Sequence, residues 1–315
     1  MEILVQVLLL ALGFTLLVKG ADWFVEGAAG IADKFGIPQL VIGLTIVAMG
    51  TSAPEAAVSI TAALQGPEAA GISVGNVVGS NIMNILVILG LASAITSIAV
   101  SKTTVRYEIP FMLGITGLFL ALGATDGVLS LVDGIILWVC FIAYLGYMLL
   151  MTKKGLMQAE EQESVKRPLW LLLLMAVGGM ALIVLGSDVT VDAATALAKK
   201  FGMSERFIGL TVVALGTSLP ELFTSVVAAR KGKADIAIGN IVGSNIFNIL
   251  FVIGTSALIT PVAFAANFIV DCIVAIAAGI LLWLCVFRKK KLTRLGGILM
   301  LLGYGGYFAY LVMNL

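Results

Sequence analysis

Histidine is absent from this 315-residue chain, and only 12% of its residues are charged. The first absence removes imidazole both as a metal ligand and as a proton relay. The second leaves too little polar surface to clothe a soluble protein of this length, because 60% of the residues are hydrophobic and the mean hydropathy is +1.12. The three cysteines (Cys140, Cys272 and Cys285) all lie in apolar runs without a Cys-x-x-Cys pattern, and read as small buried hydrophobes. The net charge is +1 and no basic tract is interleaved with aromatics, so nothing points to nucleic acid. The opening stretch, MEILVQVLLLALGF, starts acidic and has no small-residue cleavage site. It reads as a first membrane helix rather than a secretion signal.

What the chain has in abundance is apolar runs of about 20 residues, the length that crosses bilayer hydrocarbon as a helix. Ten such spans are expected, over 3–32, 38–64, 71–98, 106–124, 128–151, 169–198, 206–229, 235–259, 266–287 and 294–314. Residues 152–168 (TKKGLMQAEEQESVKRP) are mixed in charge, end in a proline and read as a solvated cytoplasmic linker between 1–151 and 169–315. With ten spans, the odd-numbered connections hold 15 Lys and Arg and the even-numbered ones hold 3, namely Lys199, Lys200 and Arg206. Basic residues accumulate on the cytoplasmic side, so both termini are expected on the other side.

Two phrases occur twice. IGLTIVAMGTSAPE (Ile42–Glu55) and IGLTVVALGTSLPE (Ile208–Glu221) agree at 11 of 14 positions; VGNVVGSNIMNIL (Val74–Leu86) and IGNIVGSNIFNIL (Ile238–Leu250) agree at 10 of 13. The shared residues are Gly, Thr, Ser, Pro, Glu and Asn rather than the interchangeable Leu and Val, which argues against chance. Each half then carries five helices. Five is odd, so the second copy enters the membrane from the opposite face, an arrangement suited to alternating access about a site near the midplane. The expected fold is an all-α integral membrane protein of ten transmembrane helices in two inverted five-helix repeats.

The repeated residues are oxygen donors. Pro54 lacks an N–H and crowds the carbonyl of the residue four before it, freeing carbonyls around Ala48–Thr51. In hydrocarbon a freed carbonyl needs a partner, and a cation serves. Ser52, Glu55 and Ser59 share one helix face, and Pro220 repeats the device with Ser218, Glu221 and Ser225. Ser80 with Asn84, and Ser244 with Asn248, lie one turn apart; Gly75, Gly79, Gly239 and Gly243 suit close helix packing. Asn76, Asn81, Asn240 and Asn245 add amides that serve either ions or helix–helix bonds. Together these are hard ligands for hard cations such as calcium, and two carboxylates match one divalent or two monovalent ions.

The plainer readings are weighed residue by residue. An intramembrane Glu without a nearby Lys or Arg is a functional-site signal, whereas lone Ser or Thr hydroxyls often bond their own helix. Asp22, Glu26, Asp188 and Asp192 are expected to cap helices or face water. Asp126, Asp133 and Asp235 read as loop or helix-end charges. Serine beside glutamate, without His or a suitable Lys, makes no nucleophile–base pair, so no enzyme is expected.

The phrases GTSAPE and GTSLPE, followed by GNVVGSN and GNIVGSN, resemble the alpha-repeats of the calcium/cation antiporter superfamily, specifically prokaryotic sodium/calcium exchangers, and the resemblance runs the length of the chain. It implies calcium ligation by Glu55 and Glu221 with backbone oxygens of Thr51 and Thr217. It implies sodium sites at Ala48, Ser52 and Ser80 in one half and Ala214, Ser218 and Ser244 in the other, with Asn84 and Asn248 at the centre. It further implies exchange of Ca2+ for Na+ as transported ions, no cofactor, a monomer in the lipid bilayer of a prokaryotic plasma membrane, and a first and sixth helix that slide past the rest. Some relatives carry Asp where this chain has Asn248, including the potassium-dependent branch, so potassium cotransport is not expected. A proton-coupled calcium or other divalent exchanger is the alternative, and a cation channel stands behind both.

Overall fold

The computed structural model describes residues 2–153, 167–203 and 214–313. The helices in chain order are α1 (Glu2–Phe35), α2 (Gln39–Thr51), α3 (Ala53–Leu64), α4 (Pro67–Ile95), α5 (Thr104–Asp126) and α6 (Leu131–Lys153). The second half holds α7 (Leu169–Lys200), α8 (Ala214–Thr217), α9 (Leu219–Arg230), α10 (Ala234–Ile259), α11 (Asn267–Phe287) and α12 (Arg294–Met313). Among the described residues eight helices are long and apolar enough to cross a membrane, and nine if α2 and α3, whose axes differ by 51°, form one broken span. The start of the expected span 206–229 and most of the linker 152–168 lie outside the described residues. The chain is an all-α membrane protein, with large apolar side chains exposed along α1, α6, α7 and α12 as lipid-facing helices require.

The all-α expectation missed two short strand pairings. β1 (Ile98–Ala99) pairs antiparallel with β4 (Lys291–Leu292), and β2 (Val128–Leu129) pairs with β3 (Val262–Ala263). Each clasp joins a connection of one half to a connection of the other. Two-residue strands carry no periodicity, so hydropathy gives no warning of them.

α1 and α7 end alike, at KFG in both halves. Gly36 (φ 64°) and Gly202 (φ 77°) take the left-handed conformation that glycine adopts without strain. Ile37 N–H then bonds Ala32 O at 2.8 Å, and Met203 N–H bonds Ala198 O at 3.1 Å, closing each helix with a reversed turn.

The longest helix contact is antiparallel, between α1 and α7, and it is a contact of backbones. A Cβ on Gly20 would lie 2.8 Å from Gly179 O, one on Gly179 would lie 2.5 Å from Phe24 N, and one on Gly186 would lie 2.8 Å from Leu17 N. Gly13, Gly20 and Gly27 recur every seven residues, as do Gly179 and Gly186. Small residues let membrane helices approach until dispersion and weak polar contacts hold them. At one end of the pair, Lys231 bonds both Asp22 and Glu26 of α1, and Arg167 bonds Glu26 at 2.9 Å. These acids tie α1 to the chain after α9 and before α7, rather than capping a helix. Asp133 does act as a helix-end charge, accepting from Ser130 N–H and hydroxyl at 2.7 Å each.

α4 and α10 form the centre of the bundle, α10 being almost wholly buried. The expected glycine packing holds in one half only. A Cβ on Gly239 would lie 3.0 Å from Gly43 Cα, and one on Gly243 would lie 2.6 Å from Leu44 O, whereas Gly79 has nothing within 4 Å and Gly75 meets only the Phe268 ring at 3.5 Å. Gly179→Ala is therefore expected to lower the thermal midpoint of the detergent-solubilised protein, by about 1–3 kcal/mol of overpacking strain. Gly178→Ala, where a Cβ meets nothing within 4 Å, leaves the midpoint unchanged.

Candidate cation site

The site begins with a break in the backbone. α2 ends at Thr51, and Ser52 (φ −84°, ψ 9°) leaves helical geometry before α3 starts at Ala53. Ser218 (φ −92°, ψ 2°) repeats this before α9. The prolines follow the break, so Pro54 and Pro220 sit at the second position of new helices, where a missing N–H costs nothing. The sequence reading set them inside continuous spans, as prolines that free carbonyls before them; the structure makes them helix starts. Glu55 and Glu221 then fall in the first turns of α3 and α9, at the positive end of each helix dipole.

Both carboxylates are fully buried, at 0% exposure. Glu55 Oε1 accepts the Ser80 hydroxyl at 3.4 Å, and the Thr217 side chain also reaches it. Glu221 Oε1 accepts the Ser52 hydroxyl at 2.8 Å, and the Thr51 and Ser244 side chains lie within reach. Each acid is thus reached by side chains of both halves, and the two carboxyls are close enough to feel each other's charge. The Ala48 carbonyl is not free as expected: it accepts Ser52 N–H at 3.0 Å, and also the Ser244 hydroxyl at 3.4 Å.

Asparagines lock the two halves together. Asn84 Nδ2 donates to Asn245 Oδ1 at 2.9 Å, and Asn248 Nδ2 donates to Asn81 Oδ1 at 3.1 Å. Asn81 and Asn245 also donate to each other's backbone carbonyls at 3.2 and 3.1 Å. Asn76 holds Glu55 O and the Ser59 hydroxyl; Asn240 holds Glu221 O and the Ser225 hydroxyl. Ser59 and Ser225 are therefore occupied in helix packing rather than turned toward the acids. Asn84 and Asn248 each open a π-helical segment, Asn84–Leu89 and Asn248–Ile253. Such wide turns cluster at functional sites because they re-aim side chains.

The pattern of unsatisfied atoms is the informative part. Among the described residues, eight buried side-chain oxygens lack a hydrogen-bond partner, and six belong to the repeated phrases or their immediate neighbours: Glu55 Oε2, Glu221 Oε2, Asn84 Oδ1, Asn248 Oδ1, Ser218 Oγ and Thr224 Oγ1. An orphaned buried acceptor costs about 1–3 kcal/mol, and more if charged. Four of the six are pure acceptors, two carboxylate and two amide, the kind of oxygen that cations bind. Thr217 lines a cavity of about 590 Å³ with Pro54, Asp188 and Asp192, so the two aspartates face open space as expected. Ala214 opens α8 next to the break. Thr224 escaped sequence reasoning because its counterpart in the first half is Val58, and the repeat gives no hint of it.

A helical membrane protein with paired buried acids at the meeting of two repeats defines a class, the cation transporters. The sodium/calcium exchanger protein family matches residues 5–150 and 171–313, and the chain belongs to that family. It is a transporter family, so the protein is not an enzyme. The putative antiporter CaxA of Alkalimonas amylolytica is 41% identical, over 96% of this chain and 98% of that one. The sodium/calcium exchanger MaX1 of Methanosarcina acetivorans is 32% identical, over 98% and 99%. A solved structure of the sodium-calcium exchanger NCX_Mj, soaked without Na+ or Ca2+, superposes with a TM-score of 0.85 at 33% identity, over 98% of this chain and 99% of that one.

Asn245→Leu removes the partner of Asn84 and one of the two donors that bridge to Asn81. It is expected to destabilise the protein by about 1–3 kcal/mol for the amides left unpaired. Chemical unfolding followed by tryptophan fluorescence reads this, and an unchanged midpoint would show that the amide network does not hold the halves together.

Proposed function

We propose that the protein is a sodium/calcium antiporter that moves Ca2+ against Na+ by alternating access, as ten transmembrane helices in two inverted repeats. One observation carries this reading: Glu55 Oε2, Glu221 Oε2, Asn84 Oδ1 and Asn248 Oδ1 are buried, unpartnered acceptors at the junction of the halves. Two carboxylates with no basic partner among the described residues are neutralised by one Ca2+ or by two monovalent ions. Competition for the same oxygens is then the coupling, since whichever cation occupies them excludes the other. Calcium's demand for 6–8 oxygens in flexible geometry is met by adding Thr51, Thr217 and neighbouring carbonyls to the four. Ser52, Ser80 and Ala48, with Ser218, Ser244 and Ala214, are assigned to sodium. Both central amides are neutral, which leaves no third negative charge for a cotransported potassium.

The backbone-to-backbone seam between α1 and α7 supports their moving as one unit past the central helices. The pseudo-symmetry lies within one chain, which supports a functional monomer and disfavours a channel built around an oligomeric axis. The basic connections support a topology with both termini outside the cytoplasm, in a prokaryotic plasma membrane.

Reconstitution in liposomes tests the reading. An outward sodium gradient is expected to drive calcium uptake, and Glu55→Gln and Glu221→Gln are each expected to reduce it to background while the protein stays folded. Calcium flux that follows a proton gradient and ignores sodium would replace sodium coupling with proton coupling. Flux without any counter-ion would remove exchange altogether.

A further inference from the structure

One of the two strand clasps gathers charge. The segments SIAVSKTTVRY (97–107) and RKKKLTR (288–294) hold seven Lys and Arg and no Asp or Glu. β1 pairs with β4, and Val100 N–H adds a bond to Lys290 O at 2.9 Å, so both segments lie at the same end of the bundle. Lys290 turns the chain from α11 into β4 with a left-handed backbone (φ 50°), which is uncommon for a residue other than glycine. Its ammonium donates to Phe287 O at 2.6 Å and lies 5.1 Å from the centroid of the Phe287 ring. That bond uses one of its three N–H donors.

Between α5 and α11 at this end is a cavity of about 380 Å³, lined by Lys102, Arg106 and Lys290 together with Pro110, Trp283 and Phe287. Lys102 and Arg106 flank the start of α5, and Pro110 lies a turn further in. Lys290 follows the end of α11 at Phe287, and Trp283 lies a turn further in. The cavity is therefore cationic at its rim and apolar toward the membrane interior. Its walls are fixed: Trp283 Nε1–H donates to Val105 O at 2.9 Å, and the Tyr147 hydroxyl of α6 braces α5 by donating to Glu108 Oε1 at 2.9 Å. Glu108 itself is 1% exposed and is not among the lining residues. Among the described residues, none of the three cations forms an ion pair, and Arg106 lies over the Tyr107 ring, 5.7 Å from its centroid.

Three like charges around one hollow repel one another unless an anion lies among them. A cationic rim above an apolar trough fits an anion that carries hydrocarbon, and a tryptophan at this depth is usual where a helix meets the membrane surface. We propose that this cavity seats an anionic phospholipid, its phosphate held by Lys102, Arg106 and Lys290 and an acyl chain running along Pro110, Trp283 and Phe287. Guanidinium and ammonium groups make charge-assisted bonds to phosphate oxygens, and basic pockets between membrane helices take anionic head groups. The two connections are the third and the ninth, so the lipid belongs to the cytoplasmic leaflet on the topology proposed above; the binding itself does not depend on that topology.

Tryptophan quenching in bilayers tests this with the full chain. The protein is reconstituted in phosphatidylcholine vesicles that contain a small fraction of lipid dibrominated near the head-group end of its chains, either phosphatidylglycerol or phosphatidylcholine. Bromine quenches nearby indoles, and the part of the quenching that is lost in Trp283→Phe reports on this cavity. Brominated phosphatidylglycerol is expected to quench that part with at least about fivefold higher apparent affinity than brominated phosphatidylcholine, the worth of one well-placed basic contact. Lys102→Gln combined with Arg106→Gln is expected to abolish the preference, whereas the charge-matched pair Lys289→Gln with Lys291→Gln retains it. Inorganic phosphate at millimolar concentration is expected not to displace the lipid. If Trp283→Phe fails to fold, the thermal midpoint in neutral detergent is the second readout: phosphatidylglycerol raises it and phosphatidylcholine does not, and only the Lys102 and Arg106 pair of substitutions removes the rise. Equal effects of the two lipids, or equal losses in the two double variants, would make these residues a diffuse signal for orientation and overturn the proposal. Displacement by inorganic phosphate would overturn it in favour of a free anion.

Discussion

Two fully buried carboxylates, with no basic residue to pair them among the described residues, govern the rest of this structure. Burying an ionised acid costs several kcal/mol even after relaxation, and an unpaired one cannot persist without compensation. Each feature around Glu55 and Glu221 offsets part of that cost. The helix starts at Ala53 and Leu219 point their positive ends at the acids, and a hydroxyl donates to one oxygen of each, Ser80 to Glu55 within the first half and Ser52 to Glu221 from the other half. The second oxygen of each is left over. On the function proposed here, that remainder leaves the pair open to a mobile cation instead of being quenched by a fixed lysine.

The surroundings divide into a rigid part and a separable part. α4 and α10 are cross-linked at their centre by four asparagines, which hold Asn84 and Asn248 by their nitrogens and leave their oxygens available. α1 and α7 touch each other through glycines and stand outside this core. The duplication is imperfect in ways that matter. Gly239 and Gly243 clamp α10 onto α2, while Gly75 and Gly79 make no such close approach, and Thr224, with a buried unpartnered hydroxyl, stands where the other half has Val58. The two ends of the site are therefore not interchangeable, although the phrases that build them are nearly identical.

Much of this was legible in the sequence because buried polar residues inside apolar runs are costly and hence conspicuous. Glu55, Glu221, Asn84 and Asn248 stood out on that ground alone, and the repeat showed which residues belong together. The glycines of α1 and α7 were equally visible at seven-residue spacing, but glycine is common in membrane helices and the spacing does not name a partner. Glu108 and Tyr147 lie 39 residues apart with no motif between them, so only the packing of α5 on α6 reveals the pair. The break at Ser52 was not foreseen within the span 38–64, because a proline signals a lost hydrogen bond but not whether the helix bends or restarts. Lys231 bridging to Asp22 and Glu26 was hidden for a related reason, since charges at helix ends look alike until the fold brings them together.

The most direct measurement is the position of a bound divalent ion. Crystals soaked with strontium, a heavier stand-in for calcium, give an anomalous signal that locates the ion without assuming the site. One strong peak within direct coordination distance of oxygens of both Glu55 and Glu221, slightly longer than the ~2.3–2.6 Å of calcium, is the expected result. A peak elsewhere, with both acids bonded to protein groups alone, would contradict the claim that these two carboxylates hold the transported cation.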